Sequence, residues 1–477
     1  MQIVATGQYG DGSTLILLSS SLIWSSSDPA VAAVNFDGLV SCLAPGTATI
    51  TTASGSISGQ SVVTVTSGNH LRPLPGTLDT SFGGVGYVTE IAHTYFGARA
   101  VAIQRNGKIV VAGMPGIVRY NKDGSLDSTF GGVGHVTTEI VDTWPGASAV
   151  AVQRDGKIVA AGTFSAPDGT YWAFGIVRYN PDGTLDTNFG SGAGYAITTF
   201  GDSNCCSLAA AVAIQSDGKI VAAGGAYSTE GSAGNGTAVV RYNADGSLDS
   251  TFGSGTGYVI TPMMHGDLVS FATSVAIQSD GKIVAGTSTE LGYAAVIRYN
   301  VDGSLDSTFG GGTGYVVTDE SFECQFDGAM SLQSDGKIVT VGSCFSPYPY
   351  LAMAVVRYQT DGSIDASFGG TGTVSIPIND GDFAAQSVTV QRDGKIVVAG
   401  YIDVPGKIDV AFAIARRNAD GSPDLTFGGG TGYVITPIMQ GNDYALGATG
   451  VAIQPSDGKI VAVGDFGPGI AVARYWP

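Results

Sequence analysis

Charge is scarce in this chain, and positive charge most of all. Only 13% of its 477 residues are charged, and 22 Lys+Arg stand against 40 Asp+Glu for a net charge of −18. A field of that sign repels polyanions, which argues against nucleic acid as a partner. Uninterrupted apolar runs near the 18 residues needed to cross a bilayer are missing, so no spanning helix is expected. Helix-period stretches are hard to find, which removes α-rich folds from consideration. The four histidines, His70, His93, His135 and His265, share no spacing that makes a triad or a metal site, and neither G-x-S-x-G nor H-E-x-x-H occurs. Met1 leads straight into "QIVATGQYGDGS" without the basic segment and apolar core of a signal peptide, so secretion has to be argued from other features.

Glycine, by contrast, is abundant at 72 residues, and much of it recurs in register. The stretch "VRYNKDGSLDSTFGGVGHV" from Val118 returns nearly unchanged from Val177, Val240 and Ile297, and more weakly from Val356 and Ala415. A truncated copy, "GTLDTSFGGVGYV", opens at Gly76. A glycine loop that cradles a phosphate occurs once per site and precedes a helix. One repeated along the chain and placed before a strand is architecture.

A second signature, "QRNGKIVVAG" at Gln104, alternates with the first, so that Lys108, Lys157, Lys219, Lys282, Lys337, Lys395 and Lys459 recur at intervals of 49 to 64 residues. That is close to the length of a four-stranded propeller blade. Taking one unit as the pattern, strand A (274–278) and strand B (282–286) flank Asp280-Gly281, and strand C (294–299) precedes a second Asp-Gly turn at Asp302-Gly303. Strand D (314–318) closes the unit. Asp-Gly between two alternating apolar runs is a hairpin signal.

The first D segment, at 78–91, has no A-B-C set before it, and the last A-B-C set, ending in "VARYWP" at Pro477, has no D after it. Joining the two completes a seventh blade and leaves no sheet edge open. The expected fold class is therefore all-β, a seven-bladed β-propeller over residues 78–477, preceded by a linker at 68–77 and a small β-sandwich at 1–67.

At this point the motifs resemble a known family. "LDxxFGxxGxV", "QxDGKIVxAG" and "ARYNxDG" are similar to the delta-sixty repeat of bacterial secreted and surface proteins, whose expected fold is a β-propeller. The resemblance implies no reaction and no catalytic residues. Residues 3–66 look like a bacterial Ig-like domain of group two, with Trp24 as core anchor and Gly46-Thr47 before a strand. Such domains begin with an earlier strand, so a record truncated before Met1 is expected, with completion by another chain as the alternative.

The chemistry of the repeats divides into framework and candidates. Each repeat Arg is expected to pair with a repeat Asp (Asp127, Asp186, Asp249 and their equivalents) across strands. Asn180, Asp182 and Asp186 space oxygen side chains at positions 1, 3 and 7, partly as Ca²⁺ loops do. Position 5 is Thr184 rather than a carboxylate, so a hairpin turn bonding its own backbone is the preferred reading and no cofactor is required. Eleven residues before each repeat Gln lie His93, Asp142, Asn204, Asp267, Phe322, Asp380 and Asp443. They form either a ring of polar groups at the channel mouth, able to bind a cation or a sugar, or caps on the next strand.

The A-B and C-D turns are uniformly tight, whereas the D-A and B-C loops vary in length and share one face. These loops carry Tyr95, Trp144, Trp172, Phe271, Phe383 and Tyr444, and variable aromatic loops on a rigid scaffold are where binding is expected. With Asp142, Asp267, Asp380 and Asp443 they make up the candidate ligand-binding set, and no catalytic residue stands out.

Among five cysteines, Cys324 lies in a D-A loop and Cys344 follows strand B of the same unit, so antiparallel pairing brings them to one face and a disulfide is expected. Cys205 and Cys206 are adjacent, and Cys42 reads as a lone core thiol. An oxidising, extracellular or cell-surface location follows from that bridge. The expected function is non-enzymatic binding, adhesion or extracellular assembly, as a filament or surface-layer subunit, with a protein or glycan partner. The alternative is a carbohydrate-active propeller enzyme, a hydrolase or lyase, using carboxylates at the channel mouth.

Overall fold

The computed structural model describes residues 6–8, 14–16, 22–34, 40–42, 44–54, 57–65, 73–90, 97–114, 116–137, 146–165, 172–200, 207–227, 235–262, 270–289, 294–318, 324–345, 351–377, 382–404, 408–440, 443–467 and 469–477. It divides into two compact units, residues 1–75 with 425–432 and residues 76–424 with 433–477.

In the first unit Ile23–Ser26, Gly46–Ser54 and Ile57–Val65 form a three-stranded antiparallel sheet, and Ala32–Val34 pairs with Val40–Cys42. Alternation sends Ala48, Ile50, Val63 and Val65 inward, where with Ala32 and Val40 they form a core against which Trp24, Val31 and Val34 pack. The expected Trp24 anchor is thus in place, at the edge of the core.

The second unit carries the repeats. Blade three shows the pattern: strand A is Leu208–Ile214, B is Ile220–Ala226, C is Gly236–Tyr242 and D is Tyr258–Thr261, paired in that order and all antiparallel. Six sheets repeat this order from residues 97 to 436. The seventh consists of Asp443–Ile453, Ile460–Phe466, Gly469–Tyr475 and, as its D strand, Tyr87–Glu90. Ile470 to Ala473 pair with Glu90 to Tyr87, so a segment near the start of this unit completes the blade at its end. The A strands touch their neighbours in an unbroken ring, blade seven against blade one included.

Strands B and C are continuously buried because both their faces meet other blades, and the apolar side chains pool between blades rather than within them. One cluster joins Val221, Val239 and Phe252 of blade three to Ala272, Ile283 and Ile297 of blade four. Another joins Val461, Val463 and Val472 of blade seven to Ile109, Val111 and Phe82.

Two turns explain the glycines. The A-B turn is not the two-residue hairpin that Asp-Gly suggests. Gln278 N–H bonds Lys282 O, Gly281 N–H bonds Gln278 O, and only the glycine has positive φ, at 87°. This is a three-residue turn with a left-handed glycine, and Asp280 Oδ1 accepts the Lys282 N–H at 3.1 Å. In the glycine cluster, Gly310 has φ 63° and a Cβ there would lie 1.9 Å from Tyr315 O. Its N–H donates at 2.9 Å to Asp361 O of the following blade. The donor that a phosphate would need therefore locks one blade to the next.

Candidate functional site

The repeat polar residues build a framework before they leave any site. In blade three Asp249 Oδ2 accepts from Arg241 Nε at 2.6 Å and Lys219 Nζ at 2.8 Å, while its Oδ1 accepts from Thr251 N and Oγ1. Arg241 also donates Nη1 to the Val301 carbonyl of blade four and stacks 4.6 Å over Phe252. Asp127, Asp186, Asp306, Asp365 and Asp79 repeat the pattern, and Arg474 with Asp79 carries it across the closure. Burial by itself raises the pKa of Asp79, but Lys459, Ser81 and Arg474 outweigh it and hold the carboxyl at about 2. The expected Arg-Asp pair is present. The repeat Lys as a second partner, and the reach of Arg into the next blade, were not read from the sequence.

The possible Ca²⁺ oxygens are committed elsewhere. Asn180 Nδ2 donates to Thr184 Oγ1 and Leu185 O, Asp182 Oδ1 accepts from Thr184 N and Oγ1, and Asp186 belongs to the Arg178–Lys157 node. Among the described residues no three His, Cys, Asp or Glu side chains gather in a metal-ligating group.

Of the aromatic and acidic candidates, Tyr95, Asp142, Trp144, Asp267 and Asp380 lie outside the described residues. Phe271, Phe383, Asp443 and Tyr444 are not in loops, because strand A extends further toward its start than alternation suggested. A bulge shifts the register midway, as between Ala272 and Ser274, and hides that extension in the sequence. Phe383 is fully buried among Val339, Met353 and Ile402, so it serves the core and offers no ligand surface. Phe271 is part-buried and lies 4.4 Å from the Tyr227 ring. Asp443 and Tyr444 open strand A of the last blade and pair with Gln440 and Met439, a two-residue fifth strand of that sheet. Cys324 and Cys344 are direct register partners on strands A and B of blade five.

Trp172 remains as an exposed candidate. It opens strand C of blade two and is 42% exposed. It lines a cavity of about 480 Å³ with Arg99, Met114, Thr163, Ser207 and Leu208. Arg99 and Leu208 stand at the starts of A strands, and Met114 and Thr163 lie toward the ends of B strands. The antiparallel order places all of them at the variable-loop end of blades one to three. An indole face, hydroxyls and one guanidinium thus converge on one concavity. Beside Arg99, burial raises the pKa of Asp465, with Arg99 and the Ala98 N–H opposing. Sequence reasoning missed Asp465 and left Arg99 among scattered basic residues outside the repeat. Their departure from it was the available signal.

The sequence pattern of a β-propeller domain of unknown function, DUF5122, matches residues 104–130, 153–189, 215–252, 278–309, 333–368, 391–427 and 456–477. The repeats are DUF5122 β-propeller repeats. Residues 1–67 match the bacterial Ig-like domain of group 2. The pairing of a DUF5122 propeller with such a domain is compatible with a bacterial surface or binding protein. The Ice-binding protein 1 of Shewanella frigidimarina is 45% identical over 65 residues, which span 14% of this chain and 7% of that protein. Among solved structures, YCF48 bound to a D1 peptide is similar over 85% of this chain and 100% of that one, with 11% identity and a TM-score of 0.42. A glucose dehydrogenase covers 68% of this chain and 98% of its own, at 12% identity and a TM-score of 0.40. Scores this low decide nothing about ligand or reaction. Among the described residues no helix is long and apolar enough to cross a membrane.

Proposed function

We propose that the chain is a non-enzymatic, extracellular or cell-surface bacterial protein that binds a glycan through the variable-loop end of its DUF5122 propeller. The cavity beneath Trp172 carries this reading. An exposed indole offers a flat apolar platform for a sugar face, and Arg99, Thr163 and Ser207 offer hydrogen bonds to hydroxyls at its edge. The Ig-like domain supports a surface location. Adhesion or assembly into filaments or a surface layer are the uses that fit, with a protein partner in place of the glycan as the variant. Cys324 opposite Cys344 fits an oxidising compartment: directly paired antiparallel residues have Cα atoms about 4.5 to 5.5 Å apart, inside the range a disulfide spans.

The enzyme reading draws support from Asp465, whose raised pKa suits a general acid beside Arg99. A glycan array probed with the native protein and with Trp172→Ala separates the readings. Retained, unaltered glycans lost only by the variant favour binding; cleavage of a captured glycan, abolished by Asp465→Asn, favours the enzyme. Equal capture by both proteins removes the Trp172 site.

A further inference from the structure

The seven junctions between blades are built alike, and one of them departs at three aligned positions together. Where six blades end strand C on Tyr120, Tyr179, Tyr242, Tyr299, Tyr358 or Tyr475, blade six has Arg417. Where the aligned bridge residue is leucine or isoleucine, blade six has Pro423. Where strand D opens on tyrosine or histidine, blade five has Thr373.

The consequences meet in space. At four other junctions the tyrosine hydroxyl bonds a threonine of the preceding blade: Tyr242 with Thr198 at 2.7 Å, Tyr299 with Thr261 at 2.7 Å, Tyr358 with Thr318 at 2.6 Å and Tyr475 with Thr436 at 3.0 Å, whereas the buried Tyr120 hydroxyl has no such partner. The threonine position facing Arg417 is Ile376, so both halves of that pair have changed. Small side chains at 373 and 423 leave a cleft of about 650 Å³, lined by Thr373, Ser375, Arg417, Asp420 and Pro423.

Arg417 is 7% exposed, and among the described residues it forms no ion pair. Its Nη2 donates to Ser375 O at 3.2 Å, while its Nε is buried without a partner. Thr373 Oγ1, on the same wall, is also buried without a partner. A buried guanidinium lacking a counter-charge is costly. Burial accordingly lowers its pKa. The repeat arginines, the adjacent Arg416 included, meet their carboxylates, whereas Arg417, at the repeat tyrosine position, faces an open cleft. Asp420, exposed at the rim, is held by the Ser422 N–H and hydroxyl at 2.9 and 2.6 Å and does not serve as the partner.

We propose that this cleft binds the carboxylate of a small hydroxylated acid, a uronic acid sugar or a hydroxy acid. Arg417 and the Thr373 hydroxyl donate to the carboxylate, and Asp420 accepts from a ligand hydroxyl at the rim. The acidic rim and the chain's net charge of −18 select against multiply charged anions such as phosphate esters.

Titration calorimetry of the full chain with D-glucuronate, acetate, glucose and sulfate tests the site, alongside the double variant Arg417→Tyr/Ile376→Thr, which restores the pair used at other junctions. Glucuronate is expected to saturate, acetate to bind more weakly and glucose not at all. The double variant is expected to bind glucuronate at least about tenfold more weakly. Should the double variant not fold, Asp420→Asn at the exposed rim serves instead, with acetate affinity expected to rise. Undiminished glucuronate binding by the double variant, tighter binding of sulfate than of glucuronate, no binding of either carboxylate, or no response of acetate to Asp420→Asn would each overturn the proposal.

Discussion

Replacing Asp249 by asparagine removes one negative charge from the midpoint of two cations and leaves the shape of the site unchanged. Asp249 and Arg241 are 3% and 2% exposed, so neither can recover hydration without opening the blade. The Lys219 side chain is 28% exposed and can turn toward water. Breaking a buried pair from one side costs roughly 3–5 kcal/mol. Because Lys219 can escape, the lower end applies, and the expected loss for Asp249→Asn is about 3 kcal/mol. Lys219→Met, which removes a part-exposed partner, should cost no more than about 1 kcal/mol. The double variant should lose less than the sum of the two, since an asparagine facing one cation is less strained than one facing two. Urea unfolding at neutral pH, with hydrogen exchange at Gly253 as a local readout of its bond to Asp302, measures these effects. A loss below about 0.5 kcal/mol for Asp249→Asn, or strict additivity, would refute the view that this node holds the blades together.

The same nodes set the acid limit of the fold. Asp79 and Asp186 titrate at about 2 in the folded protein, below the unfolded value near 3.8, and Asp127, Asp249, Asp306 and Asp365 are likewise lowered. Their contribution is complete above about pH 4 and is lost as pH falls from there toward 2, about 2 kcal/mol for Asp79 alone. A calorimetric Tm flat between pH 5 and 7 and falling steeply below 4 is expected, and a flat profile down to pH 2 would contradict it. Deleting residues 78–90, the outer strand of the last blade, should destabilise the propeller far more than deleting 1–66; equal losses in a melt would argue against closure by that strand. Unreduced peptide mapping should recover Cys324 and Cys344 in one linked species, and Cys344→Ser should cost on the order of 3 kcal/mol through a loop of about 20 residues.

The propeller was legible because its signals repeat: seven Lys-anchored hairpins, with an orphan D strand at the start and a set lacking its D strand at the end, left one way to close. The roles of Arg and Asp were legible for the same reason. Less was visible where a side chain's partner lies in another blade. Nothing local shows that Arg241 reaches Val301 O or that Tyr242 meets Thr198. The extent of strand A was obscured by its bulge, which reverses the alternation halfway and turned Phe383 from a core residue into an apparent loop residue. Asp465 escaped notice because it follows no repeat, and Arg99 and Arg417, outside the repeat, read only as scattered cations because nothing local shows what the fold gathers around them.

Hydrogen-exchange footprinting of the protein with a glycan identified on the array tests the central claim, binding at the variable-loop end of blades one to three. The account predicts slowed exchange in 97–99, 146–148, 163 and 207–208, with no change at the A-B turns around Gly218 and Gly281 on the opposite end. Protection at those turns with none around Trp172 would contradict it.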